Sequence, residues 1–326
     1  MAEITAPVDL CAADGHLNPA AVGWSRRALH TANLRGWGRT KRWEYWGIVS
    51  PEVIVGLTVS SLDYAGLLSV YALDRRTGVE HTHAALVPLA RGVALPERSG
   101  VGVARGQGGG LSLTFTNSPA GTRLAVTSPT VSVTADVGLG GQGLGVVVPW
   151  SSRRFQYTLK DVGRPVTGEV RLDDEVLGLG GQDHSFAVLD HGRGKWPYSV
   201  TWNWAAGYGR VAGRRIGLQL GGAWTDGTGS TENGLFVNGQ LHKIHEDLEW
   251  TYERADYTAP WRIDGPRVGV TFAPFHERVD RTQLGVLSSE VHQCFGMFTG
   301  WVTDDDHHRI PVDGIVGWAE EARNRW

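Results

Sequence analysis

Short runs of alternating apolar and polar residues, separated by turn signals, are the feature that most constrains the fold of this chain. A sustained helical period is almost absent, and the 45 glycines among 326 residues show no collagen-like repeat. Glycine at this level is typical of many tight turns between short strands. The pattern therefore predicts an all-β protein with little helix.

Two hairpin signals support this prediction. Runs over residues 111–116 and 123–128 flank the turn residues Asn117-Ser118-Pro119-Ala120-Gly121. Asn238-Gly239 supplies the positive φ values that a type I′ turn needs. Many strands at regular spacing favour antiparallel barrels or sandwiches over βαβ units. We expect two barrel-like halves, a domain at 1–160 and a second at 161–326, with the boundary near Pro165.

Charge and cysteine content exclude some classes of protein. The net charge of −3 gives no electrostatic reason to expect a nucleic-acid partner. Two cysteines, Cys11 and Cys294, do not make a disulfide scaffold, and unpaired buried thiols are the favoured interpretation. Neither a signal peptide nor an apolar stretch long enough to span a membrane is recognisable. A cytoplasmic location is the default expectation, and the oligomeric state stays open.

The aromatic content is unusual, with 14 tryptophans. Such a supply indicates large aromatic cores or a pocket lined by aromatic rings. Trp43, Tyr45 and Trp46 form one cluster, and Tyr64 could face the same cavity. Core packing is the competing interpretation for these side chains.

The densest group of chemically active residues lies between Gly180 and Trp204. It contains two Asp-His pairs, Asp183-His184 and Asp190-His191, followed by Arg193. An acid beside an imidazole can tune its pKa for general acid–base work. The alternative is a structural ion pair between Asp190 and Arg193, because adjacent residues of a strand point to opposite faces.

Other candidate binding residues flank this group. Trp202 and Trp204 alternate along a strand and share one face, with Asn203 on the other side. Trp196 and Tyr198 precede them, and Glu232-Asn233 is either a structural cap or part of a pocket. Histidine and acidic groups elsewhere, such as those at 304–308, do not make a convincing closed set, so no metal is expected.

Several segments resemble a bacterial family of unknown function, DUF2804. They are Pro7-Val8-Asp9-Leu10-Cys11, Lys41-Arg42-Trp43-Glu44-Tyr45-Trp46, Asp190-x-Gly192-Arg193-Gly194-x-Trp196-Pro197, Trp202-Asn203-Trp204 and Glu232-Asn233. The chain is also similar, more distantly, to the lipocalin-like group that contains carotenoid 1,2-hydratase and tocopherol cyclase. In that comparison Gln182-Asp183-His184 and the Trp-x-Trp strand match, and Phe186 stands where the group has tryptophan. The resemblance implies two calycin-like barrels and cofactor-independent addition of water or ring closure.

We therefore expect a lyase, hydratase or cyclase that acts on a largely apolar small molecule in a barrel cavity. Asp183, His184 and Asp190 would donate and accept protons, and Arg193 would orient a polar end of the substrate. The pocket would be shaped by Trp43, Tyr45, Tyr64, His191, Trp196, Tyr198, Trp202, Trp204, Glu232 and Asn233. A carrier of a lipid or pigment is the alternative, and a carbohydrate-binding or carbohydrate-active protein is the third hypothesis.

Overall fold

The computed structural model describes residues 1–180, 185–284 and 287–325, and it confirms the all-β prediction. The described chain contains no α-helix, and one short 3₁₀ helix spans Pro19–Ala21. No helix in this part of the chain is long and apolar enough to cross a membrane. Cys11 and Cys294 are both buried free thiols, as predicted.

The chain divides into two compact units. One comprises residues 3–196, and the other comprises residues 1–2 with 197–326. The division falls between Trp196 and Pro197, whereas the sequence-based boundary at 160 lies inside a continuous strand, Arg154–Leu172. This strand pairs along its length with four others, so the chain cannot be divided there without breaking the sheet.

The strands of the N-terminal unit form a 13-stranded antiparallel sheet and a small parallel pair, β1 with β3. Their bounds are β1 Val8–Asp9, β2 Trp24–Ser25, β3 His30–Thr31, β4 Thr40–Val49, β5 Val53–Ser61, β6 Ala65–Asp74, β7 Glu80–Pro88, β8 Val103–Gly108, β9 Leu111–Ser118, β10 Gly121–Thr127, β11 Val131–Gly138, β12 Leu144–Ser151, β13 Arg154–Leu172, β14 Glu175–Leu179 and β15 Phe186–Lys195.

This sheet curls on itself. Its order is β7-β6-β5-β4-β15-β13-β11-β10-β9-β8, yet β8 packs against strands from the other end, because Gly106 lies against Leu68 and Val59. The predicted hairpin at 117–121 is confirmed, with Gly121 paired to Ser118. The curled sheet encloses an apolar core that includes Trp46, buried completely.

The strands of the C-terminal unit form a 10-stranded antiparallel sheet in the order β19-β18-β17-β16-β25-β23-β22-β21-β20, with β24 beside β23. Their bounds are β16 Ser199–Val211, β17 Arg214–Gly222, β18 Asn233–Val237, β19 Gln240–Ile244, β20 Glu249–Thr251, β21 Trp261–Gly265, β22 Val268–Leu284, β23 Leu287–Thr303, β24 Arg309–Pro311 and β25 Ile315–Arg325.

The predicted turn at Asn238-Gly239 is confirmed in this unit. Both residues have positive φ, 51° and 84°, and they join β18 to β19. Strand β19 ends at Ile244, and the next strand, β20, begins at Glu249.

Candidate functional site

Strand β15 separates the predicted catalytic residues between its two faces. Asp190 pairs in register with Tyr45 and Lys160, while His191 pairs with Glu44. Because side chains alternate along a strand, Asp190 lies on one face, and His191 and Arg193 lie on the other. We call the face that carries Leu189 and Trp46 the inner face, since both belong to the barrel core. The structure therefore does not bring Asp190 and Arg193 together.

Arg193 is fully buried on the inner face. Its five N–H groups all donate inside the protein. The acceptors are the carbonyls of Pro96, Trp43 and Gly192 and the Glu44 carboxylate. Because every N–H group of the Arg193 guanidinium is used, the side chain holds Pro96 against β4 and β15. This arrangement leaves no donor for a substrate, contrary to the sequence-based expectation.

Glu44 and His191 complete the buried group on the inner face. The Nδ1 atom of His191 lies 3.2 Å from the carboxylate of Glu44, and neither side chain is more than 2% exposed. Burial, and then the charge of Arg193, lower the pKa of His191 to about 4. Burial would raise the pKa of Glu44, but His191 and Arg193 outweigh it and the pKa is lowered. His191 is therefore a neutral ring in a structural ion-pair network.

The outer face of the same strands carries a second polar group, centred on Asp190. This carboxylate is 7% exposed and accepts hydrogen bonds from Lys160 Nζ at 2.9 Å, Trp43 Nε1 at 2.9 Å and Thr158 Oγ1 at 3.2 Å. Gly192 makes this arrangement possible, because a Cβ at that position would lie 2.0 Å from the Trp43 ring. The Asp-x-Gly motif thus lets an indole lie flat on the strand and reach the acid two residues away.

Lys41 and Tyr64 extend this group along β4. The Lys41 ammonium donates to the Tyr64 hydroxyl at 3.0 Å and lies 4.7 Å from the centre of its ring. Lys41 is 3% exposed, and burial lowers its pKa to about 8. Burial raises the pKa of Tyr64, so the phenol keeps its proton at neutral pH. The Lys41 ammonium therefore loses its proton more readily than the ammonium of an exposed lysine does.

The outer face of β4, β13 and β15, together with Tyr64 from the turn between β5 and β6, forms a set of residues that we call the Asp190 cluster. It comprises Lys41, Trp43, Tyr45, Tyr64, Thr158, Lys160 and Asp190. Trp43, Tyr45 and Tyr64 are half-buried, whereas the charged groups beneath them are buried. Lys41 and the Tyr45–Asp190 pair lie four residues apart along β4, or about 13 Å, and Trp43 lies between them.

Trp196 borders this cluster. The Trp196 ring packs edge-on against Trp43 at 5.5 Å, and its Nε1 donates to Gln156 at 2.6 Å. Tyr198 lies in the other compact unit and is 47% exposed. Trp196 is therefore a buried support for Trp43.

The C-terminal unit carries Trp202, Trp204 and Asn203 on β16. The two indoles share a face, as predicted. Trp202 donates to Glu320 at 2.9 Å, and Trp204 donates to Gln219 at 2.8 Å. Asn203, on the opposite face, donates to the Tyr252 hydroxyl at 3.1 Å. Asn203 and Tyr252 line a polar cavity of about 560 Å³.

Glu232 and Asn233 begin β18 in the same unit. Asn233 accepts from the Gly221 backbone N–H at 2.7 Å and donates to the Glu246 carbonyl at 2.9 Å. Glu232 is 2% exposed and lies against Gly221. Asn233 therefore ties two strands together, which matches the structural alternative. Asp183 and His184 lie outside the described residues.

One group of acidic and histidine side chains in the described chain has the spacing of metal ligands. Potential ligand atoms of Asp304, Asp306 and His308 lie within 4.8 Å of one another. The Asp304 carboxylate, however, accepts the backbone N–H groups of Asp306 and His308 at 3.0 and 2.8 Å. These bonds are those of a turn, so the cluster is accounted for by local structure.

No local sequence signal marks Lys41, Thr158 or Lys160 as site residues. A lysine in a strand that otherwise alternates apolar and polar residues is usually assigned to the solvent side. The signal that could have found Lys160 is its register with Asp190, which depends on the pairing of β13 with β15.

Fold and sites define an all-β protein built from two barrel-like antiparallel sheets. The chain matches the family described as "Domain of unknown function (DUF2804)" over residues 1–326, and it belongs to that family. No curated protein matches the chain.

Three solved structures share the fold. CghA, crystallised with Sch210972, has a TM-score of 0.54 at 10% identity, with 88% of each chain covered. Kievitone hydratase from Nectria haematococca has a TM-score of 0.52 at 11% identity, with 89% of each chain covered. A putative AttH from Nitrosomonas europaea has a TM-score of 0.53 at 10% identity, covering 87% of this chain and 92% of that one. At these identities the likeness shows the fold alone.

Proposed function

We propose that this protein is a cofactor-independent hydro-lyase or cyclase that acts on a largely apolar small molecule at the Asp190 cluster. One observation carries the proposal. A buried carboxylate and a buried ammonium of lowered pKa lie on one face of one sheet, with the Trp43 indole between them. Because these groups lie at two ends of an apolar surface, they suit a reaction in which a proton leaves one end of an extended conjugated substrate while a hydroxyl leaves, or a ring closes, at the other end.

Asp190 has the role of the base. Its carboxylate is held by Lys160, Thr158 and Trp43, so its position is set before a substrate arrives. In the dehydration direction it removes a proton from a carbon at one end of a conjugated system, the double bonds shift along that system, and the carbon–oxygen bond at the other end breaks; the carboxyl then releases the proton to solvent. Preorganised hydrogen bonds of this kind avoid reorganisation during the reaction.

Lys41 has the role of the acid. In the same direction its ammonium protonates the departing hydroxyl, which leaves as water, and the neutral amine regains a proton from solvent. Tyr64, which accepts from Lys41, holds the amine in place. Hydration is the reverse sequence, and ring closure replaces water by a hydroxyl of the substrate.

Trp43 and Tyr45 have the role of the binding surface. Their half-buried rings cover the carboxylate and offer apolar area with π faces. Such faces stabilise positive charge that develops on a substrate carbon. Kievitone hydratase has the same fold, which supports this class of reaction without identifying a substrate.

The experiment identifies the small molecule that the protein retains. Wild type and Asp190→Asn are purified from their native host, and bound molecules are compared by liquid chromatography and mass spectrometry. The proposal predicts that the variant retains a substrate that differs from the wild-type product by the elements of water or by isomerisation. Adding wild-type protein should convert that molecule.

Two further variants keep this test informative. Asp190→Asn leaves Lys160 without its carboxylate partner, so the double variant Asp190→Asn/Lys160→Met removes both charges and should retain the fold. Asp136→Asn, on an exposed part of β11, is the matched control and should behave as wild type. The same unconverted molecule on wild type and all variants would refute the enzyme and indicate a carrier.

A further inference from the structure

A cavity of about 330 Å³ in the N-terminal unit lies apart from the Asp190 cluster. Its walls include Leu159, Leu189, Asp161 and Arg164, together with the glycine-rich segment 139–143. Leu189 belongs to the barrel core, so this cavity opens on the inner face of the sheet. Its size falls within the range of small-molecule sites in proteins.

A β-bulge in β13 builds the polar part of this cavity. Asp161 pairs with Leu189, and Arg164 pairs with Ala187, with a register shift at Val162 to Arg164. Asp161 and Arg164 are three residues apart, so in a regular strand their side chains would point to opposite faces. The extra residue, Gly163, has a φ of 80° and brings both to the inner face. The bulge therefore places an acid and a guanidinium side by side.

Asp161 offers an unused hydrogen-bond acceptor there. Its Oδ2 lies 3.8 Å from Arg164, but its Oδ1 is buried and has no hydrogen-bond partner within the described chain. Burial raises the pKa of this carboxyl to about 6. An unpaired buried acceptor costs free energy unless another molecule supplies a donor. The unsatisfied oxygen thus identifies where a ligand hydroxyl fits.

Positive charge surrounds this acceptor. Arg164 donates Nε to the Gly138 carbonyl at 2.8 Å, which fixes its guanidinium at the wall. Arg26 and the exposed Arg27 also line the cavity. Arg26 is paired with Glu3 at 3.1 Å, so three arginines stand against two carboxylates. The remaining positive charge favours an anionic group on the ligand, and the leucines favour an apolar body.

We propose that this cavity binds a small hydroxycarboxylate with an apolar body. The ligand hydroxyl donates to Asp161 Oδ1, the carboxylate lies toward the arginines, and the apolar part packs against Leu159 and Leu189. This site is independent of the Asp190 cluster, since its residues lie on the opposite face of β13 and β15.

Three matched probes test the proposal on the full chain by isothermal titration calorimetry. Mandelate carries both groups, phenylacetate lacks the hydroxyl, and 1-phenylethane-1,2-diol lacks the carboxylate. A hydroxyl donating to a buried carboxyl predicts that mandelate binds about tenfold more tightly than phenylacetate. Mandelate should also bind more tightly than the diol. Arg27→Gln should reduce the ratio of mandelate affinity to diol affinity.

Two variants assign the hydroxyl contact. Asp161→Leu should bring the ratio of mandelate to phenylacetate affinity close to unity. Gly140→Ala should also bring this ratio close to unity, although Asp161 itself is unchanged. A Cβ at position 140 would lie 2.7 Å from Asp161 Oδ1 and would cover that oxygen. Asp136→Leu, outside the cavity, should keep the wild-type ratio. Equal binding of mandelate and phenylacetate by wild type, or a retained ratio in a folded Gly140→Ala variant, would overturn the proposal.

Discussion

Two buried groups of the N-terminal unit have opposite effects on stability as pH changes. Burial raises the pKa of Asp161 from 3.8 to about 6, so the folded state loses stability as pH rises through that range. Burial, and then Arg193, lower the pKa of His191 from 6.5 to about 4, so the folded state loses stability as pH falls through that range. We therefore predict that the two dependences largely cancel in the wild type and that removing Asp161 exposes the one from His191.

The magnitude follows from the size of the shift. A change of one pKa unit corresponds to about 1.4 kcal/mol, so ionised Asp161 destabilises the fold by about 3 kcal/mol near neutral pH. Near pH 4.5 most of the folded carboxyl is protonated, and the cost is about 1 kcal/mol. The Asp161 side chain is 18% exposed. Because solvent screens a partly exposed charge, both free-energy costs are upper limits. Asp161→Asn keeps the shape of the side chain and removes its titration.

Equilibrium unfolding by urea, followed by tryptophan fluorescence, gives the free energy of unfolding at each pH. The free energy of unfolding of Asp161→Asn minus that of wild type should be about 2 kcal/mol smaller at about pH 4.5 than at about pH 7. Asp136→Asn, which changes an exposed carboxylate, serves as the control. A stability difference between Asp161→Asn and wild type that stays constant over this range would refute the reasoning.

Three further predictions concern the two faces of β15. Gly192→Ala should destabilise the fold by about 1–3 kcal/mol in urea unfolding and change the fluorescence of Trp43, because its Cβ would overlap the indole. Glu44→Gln should cost about 3–5 kcal/mol by the same method, since it leaves Arg193 buried without its anion. Catalysis should decline above about pH 8 as Lys41 loses its proton, and Lys41→Met should abolish it at all pH values, measured as conversion of the retained substrate. Wild-type stability in Gly192→Ala or Glu44→Gln, or turnover by Lys41→Met, would contradict the corresponding argument.

Local patterns predicted the fold. The turns at 117–121 and at Asn238-Gly239 depend on residues that are neighbours in sequence, and both are confirmed. Strand alternation also correctly places Trp202 and Trp204 on one face. Predictions of this kind succeed because the backbone conformation of a turn or strand depends on nearby residues.

Long-range contacts and register could not be predicted in this way. The carboxylate of Asp190 binds the indole of Trp43, which is 147 residues away in sequence. The sequence predicts that Arg193 binds the substrate, yet its hydrogen-bond acceptors include the carbonyl of Pro96, 97 residues away. The bulge at Gly163 reverses the face of Arg164, and a one-residue change in register has no signature in the apolar pattern.

The central claim is that the Asp190 cluster moves protons to and from a carbon atom. The most direct measurement is deuterium incorporation. Of the retained substrate and its wild-type product, the one that gains a proton on carbon, by hydration or by ring closure, is incubated in D₂O with wild type, the double variant Asp190→Asn/Lys160→Met or Asp136→Asn. We predict that mass spectrometry shows deuterium bound to carbon with wild type and Asp136→Asn, and none with the double variant. Equal incorporation by the double variant, or hydration or ring closure by wild type without deuterium on carbon, would contradict the account.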